Sequence, residues 1–161
     1  MNNLLYSLAC LSFCIVIGGA VYEHISVVPQ WAAAPPVSLA MFQGKYALDP
    51  APFWQFIHPI TLILLIISLV LNWKTYRRKH ILYVLILYVM ILGITAIYFV
   101  PELMAITTSA FAEIADADLT QRAKKWEILS MIRLVVLIVM AIFLTLGLTK
   151  ETSKRSSYRL A

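Results

Sequence analysis

Four residues able to do acid–base or metal chemistry interrupt, or border, apolar stretches of this chain: His24, His58, Glu102 and Arg133. Glu23 adds a carboxylate beside His24. An ionisable group in such a stretch marks a candidate site, because lipid or an apolar core holds it only at a cost. Imidazole and carboxylate suit iron, copper, zinc or manganese, and helical bundles build such centres from facing helices. His24, His58 and either Glu23 or Glu102 are therefore a candidate ligand set of two nitrogens and one carboxylate, with positions open for substrate or dioxygen. Adjacent residues point about 100° apart on a helix, so Glu23 and His24 do not easily reach one ion, and Glu102 is the better-placed third ligand. No Glu-x-x-His pair occurs, which disfavours a di-iron carboxylate centre. The same two histidines are alternatively the axial ligands of a single haem. Without a metal, one of them is a general base for a phenolic or carbon acid, and Arg133 stabilises the oxyanion that forms.

Each of these residues also has a purely structural reading. His24 and Glu23 meet water at a helix end, and Arg133 snorkels or forms a buried ion pair with Glu23 or Glu102. Trp126 lies seven residues before Arg133 and shares its helical face, a stripe that Arg122 continues. Trp126, Trp31 and Trp54 are candidates for stacking on a substrate ring, or else members of an interfacial aromatic belt. His80 sits beside Lys79 at the other end of the chain's apolar stretches and is read as an interface residue.

Elements that position these groups are legible in the composition. Of 161 residues 61% are apolar and 13% charged, and the mean hydropathy is +0.84; a soluble domain carries about 45–50% and 25%. Such a balance excludes a disordered chain, a nucleic-acid-binding domain and an ordinary soluble enzyme. Four runs are long enough to cross about 30 Å of hydrocarbon as helices: 4–22, 53–73, 81–100 and 128–149. The predicted fold is a single all-α domain, an integral membrane four-helix up-down bundle. Lys74, Arg77, Arg78 and Lys79 crowd the link between spans two and three, and Lys150, Lys154, Arg155 and Arg159 follow span four, with only Glu151 among the acids. By the positive-inside rule both segments, and hence both termini, are cytoplasmic. The same basic link is a contact for anionic lipid. Met1-Asn2-Asn3 lacks a basic n-region, so span one is read as a retained helix and the membrane as a bacterial inner membrane.

The first loop, rich in Pro and aromatic residues from Val28 to Pro52, reads as an ordered cap or as an interfacial belt. Asp118 and Gln121 have capping-box spacing, which predicts that helix four spans about 119 to 149; Met104 to Ala115 extends helix three, which Pro101 kinks. Ser7, Cys10, Cys14 and Gly18 form a small-residue stripe suited to close helix packing, not a disulfide framework. Glycine loops for phosphate and a Ser-His-Asp set are both missing, and four spans are too few for the usual secondary transporter.

In size, four-span plan, the Glu23-His24 step, the Pro- and Trp-rich first loop and a fourth helix opening Trp126-Glu127-Ile128-Leu129 and reaching Arg133, the chain resembles the anthrone-oxygenase-like family of small membrane proteins. That resemblance implies dioxygen-dependent oxidation of an aromatic or phenol-like substrate, with Trp126 and Arg133 matching the family's fourth-helix pattern and His24 its first-helix histidine. The expectation is a membrane oxidoreductase with an outward-facing pocket lined by His24, His58, Glu102, Trp126 and Arg133. The alternative is a non-enzymatic subunit that binds a lipid, a quinone or a haem. Expected partners are membrane lipid and a hydrophobic small molecule, with no nucleic acid; association between copies of the chain is compatible with either.

Overall fold

A computed structural model describes residues 2–150. The chain runs as α1 (Asn2–Ser26), a short α2 (Val28–Ala32), a 3-10 turn (Val37–Phe42), α3 (Ala51–Leu71), α4 (Arg78–Ile94), a π turn (Thr95–Phe99), α5 (Val100–Thr107), α6 (Ala117–Leu146) and a closing 3-10 turn (Gly147–Thr149). No strand occurs among the described residues. Four helical stretches, Asn3–Ala32, Ala51–Leu71, Arg78–Thr107 and Ala117–Thr149, are long and apolar enough to cross a membrane. The basic residues Lys154, Arg155 and Arg159, and Glu151 among them, lie outside the described residues.

α1 packs on α3 and α6, and α4 packs on the same two, so each long helix touches its neighbours in sequence and the last closes on the first. Side-chain bonds give the directions. Ser68 near the end of α3 donates to the Leu5 carbonyl, 3.2 Å, and Tyr6 donates to the Leu144 carbonyl, 2.6 Å, so α3 and α6 both run against α1. This is the up-down arrangement. Its two ends differ: a turn end carries the 72–77 link and Lys150, and a cap end carries the first loop and the 108–116 segment.

Two apolar cores fill the bundle. Toward the turn end Tyr6, Phe13, Leu65, Ile81, Val84, Tyr88, Leu137 and Leu144 pack together. The buried positions of α1 (Tyr6, Ala9, Cys10, Ser12, Phe13, Val16, Ala20, His24) fall on one side, linked by three- and four-residue steps, as an inward helix face requires. The predicted small-residue stripe is not the packing face: Ser7 and Cys14 are exposed, and a Cβ on Gly18 would meet open space. Close approach occurs one residue on, at Gly19, where a Cβ would run into the Phe53 ring. Gly147 is tighter, with the Tyr6 hydroxyl and the Cβ of His80 on either side. Gly147→Ala is expected to lower stability by about 1–3 kcal/mol through overpacking. Gly18→Ala should be neutral or stabilising in the same detergent melt, and equal midpoints for the two variants would refute this packing.

At the cap end Val28, Trp31, Ala32, Leu39, Phe99, Ile106, Ala123 and Trp126 form the second core. The first loop is an ordered cap on the bundle: Trp31 is 2% exposed and meets Phe42 and Trp126 edge-on, and Asp116 N–H donates to the Pro35 carbonyl. α6 begins earlier than predicted. Asp116, not Asp118, is the N-cap, its carboxylate accepting from Leu119 N–H at 2.8 Å. α5 stops at Thr107 instead of running to Ala115. Hydroxyls of Thr107, Thr108 and Ser109 bond back to carbonyls three or four residues earlier, which competes with helix continuation. Pro101 does not simply kink the helix. A proline has no N–H and crowds the carbonyl four residues before it, and just ahead of it the chain widens into a π turn, with Val100 N–H bonded to the Thr95 carbonyl.

Candidate functional site

Between the two cores lies a layer of polar side chains, one or more from each long helix. α1 supplies Glu23, α3 supplies Trp54 and His58, α4 and the π turn supply Tyr88 and Thr95, and α6 supplies Ser130 and Arg133. Position along each helix sets the level. Burial then decides which groups face one another.

Trp54 joins two of them. Its indole N–H donates to Glu23 Oε1 at 2.8 Å, and its face stacks on the His58 ring at 5.3 Å and 23°. His58 Nδ1 lies 2.7 Å from the Tyr88 hydroxyl, and Tyr88 is wholly buried against Phe13. Either His58 tautomer leaves Nε2 with no protein partner. Arg133 lies 4.1 Å above the Phe99 ring and donates to Thr95 Oγ1 and Ser130 Oγ, both at 2.9 Å. It forms no ion pair among the described residues. Three of its five N–H groups therefore remain for something else. Glu23 and His58 lie within electrostatic range of its charge. Glu23, His58 and Arg133 are all half-buried, so their unpaired atoms are reachable.

Reach is one-sided. Residues 51–60, the cap-end half of α3, bury no side chain; its buried positions start at Thr61. α3 is not among the helices packed closely on α5 or the π turn. The polar layer is thus flanked there by an open, apolar-walled side rather than by a neighbouring helix. Depressions of about 510 Å³ and 370 Å³ lie away from the layer, lined by Asp116, Thr120, Gln121 and Lys124 in one case and by Tyr76, Lys79, His80 and Lys150 in the other.

Several expected members do not join. Glu102 is turned away and held in a two-pronged pair with Arg122, at 2.8 and 3.0 Å. Two residues of helix, Val100 and Pro101, separate it from the π turn, and its carboxylate faces Arg122 on α6 instead of the histidines. His24 is 6% exposed, with Nδ1 on its own helix at the Ala20 carbonyl, 2.7 Å, and Nε2 buried without a partner. Among the described residues no three His, Cys, Asp or Glu side chains converge to hold a metal. The predicted set of His24, His58, Glu23 and Glu102 is therefore not assembled. Both histidines keep an Nε2 without a protein partner. Trp31 and Trp126 are packed in the cap-end core: Trp126 is 5% exposed and donates to the Phe99 carbonyl at 2.9 Å. Trp126→Phe is expected to cost about 1–2 kcal/mol of stability, from the lost buried hydrogen bond, and unchanged unfolding in detergent would contradict that assignment. Trp54 alone of the three tryptophans stays in the layer.

Tyr88, Thr95 and Ser130 escaped the sequence reading, because uncharged hydroxyls in a span carry no hydropathy signal of their own. Pro101 was the available clue to Thr95, since it implies an irregular turn just before it. No family model, no curated protein and no solved structure matches the chain.

Proposed function

We propose that this chain is an integral membrane protein, with its turn end in the cytoplasm, whose polar layer binds and deprotonates a hydrophobic phenol-like molecule as part of a membrane oxidoreductase. The charge bias of the 72–79 link and of Lys150 supports that orientation, and a bacterial inner membrane is the compartment it suits. The observation that carries the function is the unsatisfied set on facing helices: His58 Nε2, the second Glu23 oxygen and three Arg133 N–H groups, in an otherwise apolar bundle. These groups are half-buried with atoms free, and together they suit a ligand with one acidic hydroxyl or carbonyl.

In this mechanism the substrate enters from the lipid past the cap-end half of α3 and its ring packs beside Trp54. His58 Nε2 takes the hydroxyl proton while Nδ1–H donates to the Tyr88 hydroxyl, which fixes the ring's tautomer and orientation. Arg133 stabilises the oxyanion. A hydroquinone-type substrate then gives up two electrons and two protons to become the quinone, and dioxygen, the co-reactant, takes them up as hydrogen peroxide. The kinship suggested by the sequence points to the same class, but the geometry is what supports it.

One observation favours a second reading, a binding subunit without turnover. Of the two histidines, only His58 has its free ring nitrogen on a half-buried, reachable residue, whereas His24 is buried; a single reachable imidazole meets the demand of a quinone carbonyl. Titrating an alkyl-tailed hydroquinone into detergent-purified protein, with tryptophan fluorescence and oxygen uptake followed together, separates the two. Saturable quenching with protein-dependent oxygen uptake supports the oxidoreductase; quenching alone supports the subunit. Neither signal would overturn both.

A further inference from the structure

We propose that the turn end carries a binding site for the phosphate of an anionic phospholipid, with Lys79 and Lys150 as its cationic walls. The site is the depression of about 370 Å³ lined by Tyr76, Lys79, His80 and Lys150, between the start of α4 and the end of α6. It rests on the membrane reading above, since a headgroup meets these residues only if the apolar helices lie in lipid.

The site is built rather than merely charged. Arg77, only 6% exposed, donates through Nε to the Lys150 carbonyl at 3.0 Å, through one terminal nitrogen to the Leu148 carbonyl at 3.0 Å, and through the other to Asn3 Oδ1 at 2.7 Å. That clamp fixes the backbone of Lys150 opposite α4. His80 is held by stacking on Phe143 at 4.6 Å and 27°. Lys79 and Lys150 are both exposed and have no ion-pair partner among the described residues; the nearest carboxylate in sequence, Glu151, lies outside them. The first N–H groups of α4 add positive potential on the same side.

What distinguishes a lipid from a free anion is the surface next to the depression. Tyr83, Phe143 and Leu146 are exposed on α4 and α6, and the Tyr83 and Phe143 rings are 6.3 Å apart. An apolar strip therefore leads from the two ammonium groups into the span, as an acyl chain below its phosphate would need. Two lysines recognise the negative charge, and the strip recognises the tail.

The test is native mass spectrometry of the detergent-purified full chain with phosphatidylglycerol and phosphatidylcholine of the same acyl chains. Each lysine near a membrane surface is worth about five-fold in attraction to an anionic headgroup. Phosphatidylglycerol should be retained preferentially, and K79Q/K150Q should lose at least about ten-fold of that preference, while K124Q/K125Q at the cap end keeps it. Equal retention of the two lipids, an unchanged preference in K79Q/K150Q, or an equal loss in K124Q/K125Q would each overturn the site. Displacement of phosphatidylglycerol by inorganic phosphate at equal concentration would also overturn it, in favour of a free-anion site. Alkaline carbonate extraction separates the two levels of inference. A chain released from membranes overturns the membrane reading and this site with it, whereas a retained chain without lipid preference overturns the site alone.

Discussion

His58→Ala is expected to lower oxidation of a hydrophobic phenol by at least about 100-fold, the lower range of what a positioned general base contributes. The effect should fall on turnover, because the alanine variant leaves Arg133 on Thr95 and Ser130, and Glu23 on Trp54. Substrate affinity should change much less. Tyr88→Phe tests the positioning role separately: the imidazole remains, but its Nδ1 loses the 2.7 Å partner that sets its tautomer. A loss of about ten-fold in turnover is expected there, smaller than for His58→Ala because the base itself survives. His24→Ala should leave turnover within a few-fold of the parent, since its Nδ1 serves the Ala20 carbonyl of its own helix. Oxygen uptake across the three variants decides the matter. Full activity in His58→Ala would end the general-base role, and parallel losses in His24→Ala and His58→Ala would restore a two-histidine centre.

Arg77→Ala should cost about 3 kcal/mol or more of stability, while Arg78→Ala costs less than about 1 kcal/mol. The two arginines are neighbours of the same type in the same basic link. Arg77 is buried and bonds three oxygens that belong to the start of α1 and the end of α6. Removing it leaves two backbone carbonyls and the Asn3 amide oxygen unsatisfied at the seam where the bundle closes, and each such group carries a desolvation cost. Its guanidinium also lies over the Tyr6 ring at 5.7 Å. Arg78 is half-buried and lies over the Trp73 ring, 5.1 Å from the centroid, a cation–π contact of the exposed kind. Thermal unfolding of both variants in one detergent measures the difference. Matching midpoints would mean that Arg77 does not close the bundle.

Much of this molecule was readable from residue order. Four apolar runs, the charge bias of the links and the aromatic first loop follow from composition and spacing, because hydrocarbon thickness and helical rise leave few alternatives. The presence of His24, His58 and Arg133 near one level followed too, since depth along a helix is counted in residues. What counting does not supply is rotation. Whether a side chain faces a partner depends on which helix faces meet, and that is settled by packing over the whole bundle. Glu102 shows this: it sits near the expected depth, yet its face meets Arg122 on α6 and not the histidines. Trp126 shares a stripe with Arg133, but the ring went to the core with Trp31 while the guanidinium stayed in the polar layer. Arg77 and Arg78 carried one charge signal between them, and only burial separated the clamp from the surface residue. Tyr88 became the partner of His58 because α3 and α4 pack face to face at that height, a fact carried by the contact and by neither helix alone. The sequence by itself determined the spans, their order and the depth of each polar group; the tertiary structure decided which of those groups meet, because pairing depends on helix rotation, which only the simultaneous packing of all four helices selects.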